Sequence, residues 1–106
     1  MRRAALLAGA VALLLPLAVQ AEPRTHVIEI ANMAFGPAPT DVRVGDTVVW
    51  RNKDLFRHTA TVRGPGGFDV DLPAGAEGST VVGEAETVDY FCRFHPAMTG
   101  KIAVAP

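Results

Sequence analysis

Cysteine is nearly missing from this chain: Cys92 is the only one in 106 residues, so no disulfide can form within it. Histidine occurs three times, too few for several histidine-rich metal clusters. Helical periodicity is lacking as well. Nowhere do apolar residues recur at three- and four-residue spacing over the roughly eleven positions that an amphipathic helix needs. Basic residues are not in excess, because Lys and Arg total 10 against 11 Asp and Glu, and the formal charge of −1 gives no nucleic-acid footprint. Internal repeats, linkers and low-complexity tracts are also missing.

The longest apolar run, Ala4 to Val19, is interrupted by Pro16 and falls short of the roughly 20 residues a spanning helix requires. Arg2 and Arg3 precede it, and the small-residue exit Val19-Gln20-Ala21 follows. This is the pattern of a secretory signal peptide over residues 1–21, cleaved after Ala21, rather than of a membrane anchor. Export to the periplasm without stable membrane insertion is the expectation. Cleavage would remove Arg2 and Arg3 but no acid, taking the formal charge to −3, and would leave 85 residues as one domain, 22–106. A domain that small buries little more than half of its unfolded surface, so a bound metal would help to hold it.

What remains reads as strands. The segments HVIEI (26–30) and DVRV (41–44) alternate apolar and polar residues, and TVVWRN (47–52) is β-branched and aromatic. HTATVR (58–63), STVV (79–82), ETVDYF (86–91) and KIAVA (101–105) continue the series. Turn chemistry lies between them in GPAPT (36–40) and Gly45-Asp46, with loops at RGPGG (63–67) and DLPAGAEGS (71–79). Many short strands at close spacing imply an all-β antiparallel sandwich or barrel, with Trp50, Phe68, Val88, Tyr90 and Ile102 in its core.

Near the end stands YFCRFHPAMTGK (90–101), which sets a thiol, an imidazole and a thioether at three-residue intervals: Cys92, His95 and Met98. Thiolate, imidazole and thioether together are a soft, mixed donor set suited to copper that alternates between Cu(I) and Cu(II). Such a site wants a second imidazole. His58 opens a strand after the loop NKDLFR, where a β scaffold presents functional groups, whereas His26 has no other donor near it in sequence. His58 is therefore the expected fourth ligand, and His26 an ordinary surface histidine. Zinc could use the thiolate and imidazoles, but it seldom takes methionine.

These residues carry a resemblance. MAFGPAPTDVRVGDTVVWRN, a histidine six residues after Asn52, and YFCRFHPAMTGKIAV resemble the cupredoxins, the type 1 blue copper proteins, in the amicyanin branch of the plastocyanin-like family. The resemblance spans Val27 to Val104 and implies a Greek-key β-sandwich. It also implies one type 1 copper ion on His58, Cys92, His95 and Met98, and passage of single electrons rather than enzymatic catalysis. His95 would bring its ring edge to the surface among Phe94, Pro96 and Ala97, where redox partner proteins dock on a monomer. Asn52 would match the asparagine that ties the ligand loops, and the Thr59 N–H the donor to the metal-bound sulfur. Two departures stand out: Arg93 follows the cysteine where the family usually has Thr or Ser, and Phe94 precedes the loop histidine where amicyanins commonly have proline.

The rival function for the same ligands is a copper carrier or copper-resistance protein, to which Met33 could add a further soft donor if it does not pack beside the site. Arg57, Arg63 and Arg93 flank the ligand segments, and a positive rim favouring an acidic partner is expected from them.

Overall fold

In the computed structural model residues 3–5, 8–14 and 22–106 are described, and the expected cleavage site at Ala21 lies outside them. Among the described residues no helix is long and apolar enough to cross a membrane. The described residues form nine strands in succession: β1 (Thr25–Ala31), β2 (Ala34–Phe35), β3 (Val42–Arg43), β4 (Thr47–Asn52), β5 (His58–Thr61), β6 (Asp69–Leu72), β7 (Glu77–Val81), β8 (Thr87–Cys92) and β9 (His95–Ala105). They form two sheets, β2-β1-β4-β7 and β3-β9-β8-β5-β6, packed as a Greek-key sandwich.

The expected sandwich is present, but its sheets are mixed rather than antiparallel. β1 runs parallel to β4, and β3 parallel to β9, because in both pairs the chain crosses to the other sheet before returning. Strand β6, which was not expected, ends inside the loop expected over 71–79. Asp69-Val70-Asp71-Leu72 alternates over only four residues, too short a run to stand out beside the glycines and prolines that flank it.

Period-two alternation selects what each strand buries. Ile28 and Ile30 of β1, Val48 and Trp50 of β4, Leu72 of β6, Tyr90 of β8 and Ile102 of β9 face inward, and all are under 4% exposed. Trp50 sits edge-on to Tyr90 with ring centroids 5.5 Å apart, and burial pushes the Tyr90 hydroxyl pKa up. Phe68 and Val88, expected in the core, are only partly buried. Gly100 of β9 lies directly over Tyr90, so that a Cβ there would overlap the phenol ring.

His26 is not a surface residue. The alternation of β1 turns position 26 inward with Ile28 and Ile30, and its ring is buried with Nε2 2.8 Å from Asp46 Oδ2. Asp46 also accepts the backbone N–H groups of Arg24 and Arg43, closing the turn at Gly45, whose φ of 95° suits glycine. The Arg24 backbone N–H and the His26 ring, together with Arg43 N–H, lower the Asp46 pKa to about 2 from 3.8. A depressed carboxyl stabilises the fold above its unfolded pKa and loses that contribution as pH falls toward the folded value. The thermal midpoint is therefore expected to drop between about pH 4 and pH 2, and Asp46→Asn to flatten this dependence; a variant with the same acid profile as the parent would exclude Asp46 as its source.

Candidate metal centre

Cys92 ends β8, and the strand pairing around it is irregular. Phe91 pairs with Thr99, so a regular ladder would set Cys92 opposite Met98. Cys92 instead pairs with His95 across the tight turn Arg93-Phe94. Pro96, Ala97 and Met98 are the surplus of this register shift, and Met98 from that surplus is only 6% exposed, in the same core cluster as Cys92. One β-bulge thus turns the C-x-x-H-x-x-M spacing into three donors at one end of the sandwich.

The fourth donor comes from β5, three strands before β8. His58 and Cys92 are both fully buried, and His58 Nδ1 lies 3.7 Å from Cys92 Sγ. The rings of His58 and His95 have centroids 5.3 Å apart, and His95 alone of the four is partly exposed. The structure brings His58, Cys92 and His95 together and buries Met98 in the same core cluster as Cys92. His26 pairs with Val48 at the other end of β1 from Ile30, roughly 13 Å along the strand, and belongs to no such group.

His58 is aimed by a residue that sequence reasoning missed. Its Nε2 lies 2.8 Å from Asp54 Oδ2, which leaves Nδ1 as the nitrogen facing the thiol. Asp54 in turn accepts the backbone N–H groups of Asn32 and Met33, at 2.8 and 2.9 Å. Those two residues form the β1–β2 turn with φ of 53° and 61°, the left-handed pair that two-residue hairpins use. Burial pushes the Asp54 carboxyl up, but the N–H donors of Met33, His58 and Asn32 outweigh it and hold the pKa below its usual value. Met33 thus serves through its backbone, with its side chain 38% exposed rather than packed in a core. The signal was available as an aspartate four residues before the histidine.

The backbone N–H of Thr59 donates to Cys92 Sγ at 3.4 Å, as the resemblance implied. With Arg93 after the cysteine, the Asn52 side chain finds its partners elsewhere. Asn52 Nδ2 donates to the carbonyls of Phe56, Leu72 and Pro73, and Asn52 Oδ1 accepts the Asp54 N–H, so it braces the loop before His58 rather than the residue after the cysteine. The tie to Arg93 is made by Thr59, whose Oγ1 accepts the Arg93 backbone N–H at 2.9 Å.

The positive rim is also corrected. Arg93 Nε lies 3.1 Å from Asp69 Oδ1 and Arg57 Nε 3.5 Å from Asp71 Oδ1, while the Arg63 guanidinium lies 3.8 Å over the Phe91 ring. Two of the three cations therefore face acids on β6, which weakens the positive rim expected from them. Beside these exposed arginines the ligand loops also present apolar side chains: Leu55 and Phe56 before His58, and Phe94 after Cys92.

A buried thiol facing a ring nitrogen, with a second imidazole and a thioether beside it, fits a soft redox metal. Each of these contacts is intramolecular and held by sheet pairing, so the donor set is assembled by the fold itself.

No protein-family model matches the chain. It is 35% identical over 83 residues to amicyanin of Paracoccus denitrificans, an alignment covering 74% of this chain but 63% of the relative's length. To amicyanin-alpha of Methylorubrum extorquens it is 31% identical, covering 95% of this chain and 86% of the relative. Among solved structures it is similar to the reduced state of an amicyanin with a proline-to-phenylalanine substitution, at 34% identity and a TM-score of 0.66, covering 76% of this chain and 81% of that one.

Proposed function

The chain belongs to the amicyanin family of blue copper proteins, and from that premise we propose that it carries single electrons between redox partners in the periplasm, on one type 1 copper held by His58, Cys92, His95 and Met98. The observation that carries this reading is the buried Cys92 Sγ set 3.7 Å from His58 Nδ1, with the His95 ring against that of His58. Copper bound there would supply a one-electron couple between Cu(I) and Cu(II).

The protein's own part is to keep the donors still. Cys92 is fixed by β8 and by the Thr59 N–H, and His58 by β5 and Asp54; outer contacts of this kind orient metal ligands. Four protein donors fill the coordination and leave no open position for a substrate, unlike a catalytic metal site, so the reading is a non-enzymatic one. His95, partly exposed between Phe94 and Pro96, gives the shortest route from the buried donors to a partner, and the apolar side chains of Leu55, Phe56 and Phe94 are where that partner docks on the monomer. With Arg57 and Arg93 answered by acids, docking is expected to depend weakly on salt, and a steep fall in association rate between low and physiological ionic strength would contradict this surface.

Burial separates this reading from a copper carrier. Three of the four donors are 6% exposed or less, which hinders handing the ion to an acceptor but not the passage of an electron. The test is to add Cu(II) to the purified protein after removal of residues 1–21 and to record its visible and EPR spectra. An intense blue colour with a narrow copper hyperfine splitting, and electron self-exchange faster than copper loss to an acceptor protein, is the expected result. A colourless protein, or copper lost faster than the electron is exchanged, would defeat it. Amino-terminal sequencing of exported material is expected to begin at Glu22.

A further inference from the structure

Thr59 and Thr61 are 0% and 8% exposed although strand alternation turns both away from the core side occupied by Ala60. What covers them is a closed set of hydrogen bonds. The Thr61 hydroxyl lies 2.7 Å from Asp69 Oδ1 and 2.9 Å from Thr59 Oγ1. A carboxylate only accepts, and a hydroxyl has one proton, so the directions are fixed: Thr61 donates to Asp69, and Thr59 donates to Thr61. Thr59 Oγ1 then has lone pairs for the Arg93 backbone N–H, at 2.9 Å, while the Arg93 guanidinium Nε–H donates to the same Asp69 oxygen at 3.1 Å. The circuit begins and ends on Arg93, the residue directly after the thiol.

We propose that Arg93, Asp69, Thr61 and Thr59 are positioning residues that act as one ring, clamping the Cys92 end of β8 onto the His58 end of β5 and so setting the Cys92 sulfur against the Thr59 N–H and the His58 ring. The ring occupies the place left by the residue types expected there, since an arginine after the cysteine has no side-chain hydroxyl to tie the loops. A chain of hydrogen bonds ending on a carboxylate polarises each hydroxyl toward the next, which strengthens the Thr59 oxygen as acceptor for Arg93 N–H. Asp69 is suited to that end, because the Thr61 hydroxyl and the Arg93 guanidinium hold its carboxyl ionised below the usual range. Directly opposite pairing of Thr61 with Asp69 in the β5–β6 ladder puts the two side chains on one face without further adjustment.

The consequence for the metal centre rests on the copper reading above, whereas the ring itself does not, and the experiment keeps the two apart. Exchange of the Arg93 amide proton is followed by NMR in the reduced protein, with and without copper. Thr59→Val, which keeps shape and the backbone N–H but removes the acceptor, is expected to speed that exchange about tenfold, the worth of one buried hydrogen bond. Thr59→Ser is expected to restore it. Asp69→Asn, at a half-exposed site that folding tolerates, is expected to speed exchange by a smaller factor, and the double variant Thr59→Val/Asp69→Asn to go no further than Thr59→Val alone. In the Cu(II)-loaded protein Thr59→Val is expected to move the sulfur-to-copper absorption band, and Thr59→Ser to return it. Unchanged Arg93 exchange in Thr59→Val, or additive effects of the two substitutions, overturns the ring; faster exchange with an unmoved band overturns its positioning of Cys92. A parent protein that takes up no copper counts against the proposed function alone, since the exchange measurements still decide the ring.

Discussion

Cys92→Ser is expected to give a folded but colourless protein. The serine oxygen is smaller than the sulfur it replaces and sits on a shorter bond, so the Thr59 N–H and the His58 ring nitrogen, 3.4 and 3.7 Å from the sulfur, are left with weaker contacts while the strand pairing around the site is retained. A destabilisation of about 1 kcal/mol is expected from the looser packing of a site that is fully buried in the parent. The electronic consequence is far larger. A serine hydroxyl stays protonated where a thiol beside a metal gives up its proton, and an oxygen donor cannot share charge with copper as a thiolate does. Any copper still held by His58, His95 and Met98 would show weak colour and a broad hyperfine splitting. A blue Cys92→Ser protein would mean that the thiolate is not the chromophore, and the ligand set would have to be rebuilt from other residues.

Asn52→Ala is expected to cost the metal-free protein about 3 kcal/mol, a large share of the roughly 5–15 kcal/mol that holds a domain together. The side chain is 2% exposed. Its amide reaches the carbonyls of Phe56 at 2.7 Å, Leu72 at 2.9 Å and Pro73 at 3.2 Å, and its oxygen takes the Asp54 N–H at 2.9 Å. Alanine takes a partner from each of those groups, of which the Pro73 carbonyl still keeps the Ala76 N–H, and a buried unpaired carbonyl or N–H costs more than the hydrogen bond it made. The effect should reach the metal centre through Asp54, because the same loop carries the carboxylate that orients His58. Urea unfolding measures the first part, and the copper dissociation rate the second, which is expected to rise. A midpoint within error of the parent would show that the loop 53–57 holds its shape by other means.

A third substitution bears on the core beneath the site. Gly100→Ala places a methyl group against the Tyr90 ring, which is itself packed on Phe35 at 4.6 Å and Trp50 at 5.5 Å and has little room to yield. Overpacking of this kind costs about 1–3 kcal/mol, and differential scanning calorimetry is expected to show the lowered midpoint.

Particular residues show where reading the chain succeeds and where it stops. Alternation in HVIEI and TVVWRN fixes which side chains of β1 and β4 point inward, because the period of a strand is a local property of the backbone. The donors Cys92, His95 and Met98 span seven residues end to end, so a tight connection must bring them near one another whatever the rest does. The same local rule turns His26 inward, but only the fold supplies Asp46 as its partner, which is why chemistry-by-neighbourhood misplaced it on the surface. Asn52 was recognised as a brace but its partners were not legible, for a similar reason: its acceptors at Leu72 and Pro73 are about twenty residues away, at the end of a strand too short to be seen in advance and just beyond it.

The sequence by itself determined the donor types, the inward faces of the longer strands and the all-β class, since each of these follows from spacing along a few consecutive residues. Only the tertiary structure decided that β8 slips register after Phe91 to bury Met98, that Asp54 and the Asn32–Met33 turn aim His58, and that Arg93 closes back on Thr59 through Asp69. Those contacts join positions tens of residues apart, and hydrogen-bond geometry at such separations is set by how two sheets come to rest on one core, which no local pattern encodes.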